Sequence, residues 1–167
     1  MQINFTAGNI DIALTIMREA AQWLADTQNP MWDINTLTRE RINNPPDEFL
    51  VAWLGSESAA CCLLSYEDPL FWPDIPAGTS GFLHKIAVRR KFAGQGIAMR
   101  LIEHAQELCR MKNITMLRLD TDLHRPKLCA LYEGMGFQRT GERRMHLPED
   151  TGGHCDVALY EKELRSL

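Results

Sequence analysis

The feature that most restricts the fold is a change of rhythm between residues 82 and 109. "FLHKIAV" (82–88) is an apolar run of strand length. "RRKFAGQG" follows, three cations and then two glycines one residue apart. From there Ile97, Ala98, Leu101, Ile102, Ala105, Leu108 and Cys109 recur at helical spacing, with Arg100, Glu103, Glu107 and Arg110 turned the other way. A strand, a glycine turn and an amphipathic helix must therefore succeed one another without a break. Glycine lets backbone approach a ligand closely and adopts dihedrals that other residues avoid. The first N–H groups of the helix point out of its positive end, so the turn suits an anion.

The neighbours of the glycines restrict which anion. A nucleotide P-loop continues Gly-Lys-Ser/Thr, whereas Gly96 is followed by Ile97 and Ala98. A dinucleotide fingerprint carries a third glycine three residues after the second, and Met99 stands there. The pyrophosphate of coenzyme A needs no metal and fits a shorter loop. On spacing alone, a turn with no ligand stays open.

Elsewhere the pattern predicts a helix over 11–26, with a stripe of Ala13, Ile16, Met17, Ala20 and Leu24, and a short polar helix over 36–42. Strands are expected over 48–55, 60–66, 82–88 and 114–121. Pro126 suits the first turn of a further helix carrying Leu128, Leu131, Tyr132 and Met135, closed by Gly134 and Gly136. Two strands follow, over 136–147 and 155–164. The order of helix, helix, strands, helix, strand, helix, strands predicts a mixed α/β fold with helices packed on a central sheet. A chain of 167 residues suits one domain, 1–167.

Charge and composition exclude other classes. A formal net charge of −4 argues against general nucleic-acid binding. No apolar run approaches a membrane span, and "MQINFTAGN" has neither the basic nor the apolar part of a secretory signal. The five cysteines at 61, 62, 109, 129 and 155 form no Cys-x-x-Cys and read as buried thiols in a reducing cytoplasm. Cys61 and Cys62, adjacent in a strand, are expected on opposite faces. No metal-ligand spacing appears around His146 and His154, so no metal is expected.

"IAVRRKFAGQGIAMRLIEHA", followed about forty residues later by "LCALYEGMGF", resembles the GNAT superfamily of acetyl-CoA-dependent N-acetyltransferases. One motif is the glycine pair Gly94 and Gly96 after a strand ending Ile86-Ala87-Val88. The other is a helix with Leu131-Tyr132-Glu133, then Gly136-Phe137. Together they cover roughly residues 82–140 and are fairly specific as a pair. The resemblance implies a central, mostly antiparallel twisted sheet flanked by helices. It implies transfer of acetyl from acetyl-CoA to a primary amine by direct attack in a ternary complex. Coenzyme A would lie along Ile86, Ala87, Val88, Arg89, Lys91, Phe92, Ala93, Gly94, Gln95, Gly96, Ile97 and Ala98. Arg125 stands where the family often has an asparagine beside the pantetheine arm, so that residue departs from the pattern.

Acyl transfer makes demands on side chains. The amine must shed a proton, the thioester carbonyl must be polarised, and the departing thiolate must be protonated. Tyr132 matches the family's tyrosine and is expected to serve as acid. Asp120, near the end of "LRLDT", and His84, in "LHKIAV", are the candidate bases, beside a water chain with no single base. On a period of two, His84 shares a face with Ile86 and Val88. For each of these, a packing or capping role is the plain alternative. By resemblance, acceptor specificity lies in "TQNPMWDIN" and "HLPEDTGGH", with Trp32 and Asp33, and with Glu149 and Asp150, suited to a cationic amine. The expected partner is a small-molecule amine, with no nucleic acid and no membrane; a homodimer is compatible with the sequence. A protein N-terminus or lysine is the alternative acceptor. A non-catalytic acyl-CoA sensor is the alternative of another class.

Overall fold

The structure is a computed structural model that describes residues 2–146 and 153–164. Seven strands appear among them: β1 (Ile3–Ala7), β2 (Glu48–Leu54), β3 (Glu57–Ser65), β4 (Gly81–Val88), β5 (Met116–Asp122), β6 (Gln138–His146) and β7 (His154–Glu163). They form one sheet in the order β1-β2-β3-β4-β5-β7-β6. Pairing is antiparallel throughout the described ladders except between β4 and β5, which run parallel over Gly81–Leu83 against Leu117–Leu119. The helices are α1 (Ile10–Asp26), α2 (Arg39–Ile42), α3 (Ile97–Met111) and α4 (Pro126–Gly134).

The residues gather into two compact units. One comprises Met1–Ser65 and His84–Glu107; the other comprises Tyr66–Leu83 and Leu108–Leu167. In the first, α1 buries Ile10, Ala13, Ile16, Met17 and Ala21 with Phe49 and Val51 of β2, Cys61 and Leu63 of β3, and Ala87. Asn9 caps α1 by accepting from Ile12 N–H at 3.4 Å. In the second, Trp72 and Phe82 pack with Val157 and Leu159 of β7.

Most predicted elements occur within a residue or two of their expected ends. The strand expected over 60–66 begins three residues earlier, at Glu57, where it pairs with Leu54, and three further features differ. Before α1 the sequence pattern suggests no strand, yet Ile3–Ala7 pairs in register with Leu50–Leu54 as an edge. The helix expected over 36–42 divides into a 3-10 turn (Ile34–Thr36) and the single turn of α2, because Asp33 accepts from Asn35 N–H and caps the earlier turn. On α4 the buried side chains are Cys129 and Tyr132, while Leu131 is exposed. Cys61 and Cys62 are both fully buried, since β3 is covered on both faces.

Candidate active site

The turn after β4 is built by its backbone. Arg89 is extended, Arg90–Phe92 make one 3-10 turn, and Ala93 is extended again. Gly94 and Gly96 then take φ of 76° and 74°. Any residue with a side chain would pay roughly 1–2 kcal/mol for that left-handed conformation. A Cβ at either position would meet nothing within 4 Å. The glycines are thus required by dihedral angle, and the space over the loop is open. Gln95 Nε2 donates to the Lys91 carbonyl at 3.3 Å, and Arg100 N–H makes a first helical bond to the Gly96 carbonyl. No acidic residue occupies the first turn of α3, so the positive end of that 15-residue helix carries no opposing charge of its own. This donor set fits a pyrophosphate.

The three cations before the glycines are each engaged by neighbours. Arg89 makes a two-pronged contact with Glu19 of α1, from Nε at 2.8 Å and Nη2 at 3.1 Å. Its Nη1 donates to the Ser58 carbonyl at 3.0 Å and hydroxyl at 2.9 Å. Arg90 lies 4.1 Å from the centre of the Trp23 ring. Lys91 pairs with Glu57 and sits over Phe92.

Upstream on β4, Lys85 has φ 52°, left-handed backbone in a residue with a side chain. Lys85 lies between His84 and Ile86, inside the run read on a period of two. His84 is half-buried, and its pKa is held at about 4, first by burial and then by the charge of Lys85. The imidazole is therefore neutral at pH 7 and a weak base. The Lys85 ammonium stands 5.3 Å from the centre of the Trp32 ring, and Asp33 is occupied in capping its own turn. The other expected acceptor segment, with Glu149 and Asp150, lies outside the described residues.

The second unit carries the remaining candidates. Asp120 is half-buried near the end of β5, opposite Leu159. Asp122, two residues on, accepts from Arg125 Nε at 3.0 Å, and Arg125 caps the start of α4 with its side chain 13% exposed. The arginine at the departing position is thus drawn into a local ion pair. Tyr132 is buried on α4, edge-on to Phe137 with ring centres 6.1 Å apart and tilted 50° to Tyr160 at 6.2 Å. The Tyr160 hydroxyl donates to Glu133 at 2.8 Å, and Lys162 Nζ donates to the Met135 carbonyl at 2.8 Å. Two side chains of β7 thereby fix the last turn of α4.

Two contributors were not legible in the sequence. Asp68, in the proline-rich loop after β3, offers a carboxylate oxygen within 4.8 Å of one from Asp120. Its pKa is raised by burial, against the N–H groups of Phe71 and Leu70 and the charge of Arg143. In sequence this aspartate sits in the proline- and aromatic-rich run "EDPLFWP", which gives no reason to single it out. Glu19 lies off the apolar stripe of α1, and only the fold brings it to Arg89.

A parallel β4–β5 pair, a glycine turn into α3 and a tyrosine helix after β5 together define an acetyltransferase architecture. The chain matches the Acetyltransferase (GNAT) family over residues 17–137, and it belongs to that family. It is an acyltransferase of a family whose acetyl donor is acetyl-CoA. The chain is similar to the uncharacterized N-acetyltransferase YesJ of Bacillus subtilis, 28% identical over 160 residues that cover 89% of this chain and 82% of that one. It is 34% identical over 83 residues to N-alpha-acetyltransferase 30 of Saccharomyces cerevisiae, spanning 49% of this chain and 47% of the yeast protein. Among solved structures, the ribosomal-protein-S18-alanine N-acetyltransferase of Escherichia coli superposes with a TM-score of 0.71 at 18% identity, covering 99% of this chain and 96% of that one.

Proposed function

We propose that this chain transfers acetyl from acetyl-CoA to the primary amine of a small molecule, by direct attack of the amine on the thioester. The observation that carries this reading is the pair of left-handed glycines opening onto the start of α3, whose first turn holds no acidic residue. Backbone N–H groups from Phe92 to Ala98 would hold the pyrophosphate, where they cost no reorganisation when the ligand arrives. Bound there, acetyl-CoA supplies an activated acetyl group. The strand end Ile86–Val88 is the expected source of a backbone donor to the thioester oxygen.

Asp120 is the assigned base, taking the amine's proton directly or through water. His84, held at about 4, is free of a proton at pH 7 but only weakly basic, so it offers a base no stronger than an ordinary carboxylate. Tyr132 is the assigned acid, its ring held by Phe137 and Tyr160 and its hydroxyl the source of the proton for the thiolate. Trp32 gives the acceptor an apolar, cation-tolerant wall, as its contact with Lys85 illustrates.

The test is release of coenzyme A when acetyl-CoA is incubated with a panel of small amines and of peptides with unblocked N-termini. Turnover on small amines supports the reading. Turnover on peptides alone replaces it with a protein N-terminal acceptor, the reading favoured by similarity to the yeast enzyme. Tight coenzyme A binding without turnover on any amine would make the chain a sensor. Within the assigned mechanism, Tyr132→Phe lowers kcat roughly 10²-fold or more, the scale of acid catalysis. It leaves coenzyme A affinity within about twofold, since the proton is needed only as the thiolate departs.

A further inference from the structure

Arg89 begins the "RRK" run, where a cation beside a phosphate loop invites assignment as a phosphate ligand. Its contacts point elsewhere. The backbone N–H of Arg89 donates to the Ala59 carbonyl at 2.9 Å. Its guanidinium spends Nε and Nη2 on the two oxygens of Glu19, and Nη1 on the carbonyl and hydroxyl of Ser58. A guanidinium has five N–H groups, so four of these contacts occupy most of its capacity. The Arg89 side chain is only 22% exposed, while that of Glu19 is 50% exposed.

One residue therefore ties three pieces of chain: the second half of α1, the start of β3 and the first residue of the loop. Five residues on, Gly94 and Gly96 must hold a strained left-handed path. A loop anchored at its entry loses less freedom when it closes on an anion, so more of its contact energy appears as affinity. We propose that Arg89 is a positioning residue, clamped by Glu19 and Ser58, that sets the pyrophosphate loop in its binding conformation without touching the phosphates. This rests on the reading of that loop as the coenzyme A cradle.

The two roles differ in sign. If Arg89 were a phosphate ligand, Glu19 would compete for its charge, and Glu19→Ala would tighten coenzyme A binding. If Arg89 is a clamp, Glu19→Ala undoes it. The experiment is calorimetric titration of coenzyme A into the intact chain and into Glu19→Ala, Glu19→Gln, Arg89→Ala, Arg89→Lys and Glu19→Ala/Arg89→Ala, each at several salt concentrations. A half-exposed bidentate pair corresponds to a change on the order of tenfold. Glu19→Ala and Arg89→Ala should each weaken binding by about that factor, and the double variant should be no weaker than either. Arg89→Lys should not restore binding, since an ammonium cannot reproduce the fork. The salt dependence of Kd should stay as in the unsubstituted chain, because no phosphate contact is lost.

Unchanged or tighter binding in Glu19→Ala overturns the clamp, as does a shallower salt dependence in Arg89→Ala. Glu19→Gln alters only a half-exposed carboxylate and keeps the test available if Arg89→Ala does not fold. Its affinity should fall between those of the unsubstituted chain and Glu19→Ala. Failure of the underlying reading looks different: the unsubstituted chain would bind coenzyme A no better than Gly94→Val does.

Discussion

His84 offers a perturbation whose size follows from the structure. An imidazole ordinarily titrates at 6.5, and in the folded chain it is held at about 4, chiefly by burial. Protons therefore bind the unfolded chain more readily across that interval. The folded state keeps its full advantage above pH 6.5 and loses it as pH falls towards 4. At about 1.36 kcal/mol per pH unit, the whole interval is worth about 3 kcal/mol, of which about 2.5 is already lost at pH ~4.5. His84→Gln retains a polar side chain and removes the titration. Urea unfolding of both proteins at pH ~7.5 and ~4.5 gives the change in stability for each. Every other titrating group contributes to both and cancels in the difference between them. The unsubstituted chain should lose about 2.5 kcal/mol more than His84→Gln over that span. Equal losses would mean that burial does not exclude charge from the ring, and would refute the reasoning. They would also return His84 as a candidate base, because its titration would then fall near neutral pH.

Other outcomes follow from neighbouring features. Gly94→Ala should cost roughly 1–2 kcal/mol from its dihedral alone, with no clash, and weaken coenzyme A measurably in calorimetry. Tyr160→Phe should cost about 1 kcal/mol in chemical denaturation, whereas Glu133→Gln, which keeps an acceptor oxygen, should cost less. Arg125→Asn, which restores the residue common in the family and breaks the pair with Asp122, should alter coenzyme A affinity while leaving the far-UV circular dichroism spectrum unchanged.

Periodicity made α1, α3 and the central strands legible because their apolar faces are continuous and buried. The edge strand β1 was not, since "INFTA" is five residues long and lies largely exposed. An edge needs only one neighbour, and β2 supplies it through backbone pairing that leaves little trace in side-chain pattern. The glycine turn was legible because a left-handed dihedral demands glycine locally. The partners of its cations were not: Glu19 is 70 residues from Arg89 in sequence, and nothing at either position announces the other. Tyr132 could be marked from its motif, but its hold by Tyr160 depends on the register of β7 against β5. The left-handed backbone at Lys85 was not legible either, because a lysine carries no local signal for it.

The cysteines have a practical consequence. All five are unbridged, and Cys61, Cys62, Cys109 and Cys129 are buried, with burial pushing the Cys61 and Cys62 thiols up. A thiol-alkylating reagent can reach them only when the surrounding structure opens. Cys61 and Cys62 sit in the first unit and Cys129 in the second. Mapping which cysteine is modified, and how fast, would therefore give separate opening rates for the two units. The chain carries its own chemical clocks, set by where its thiols are hidden.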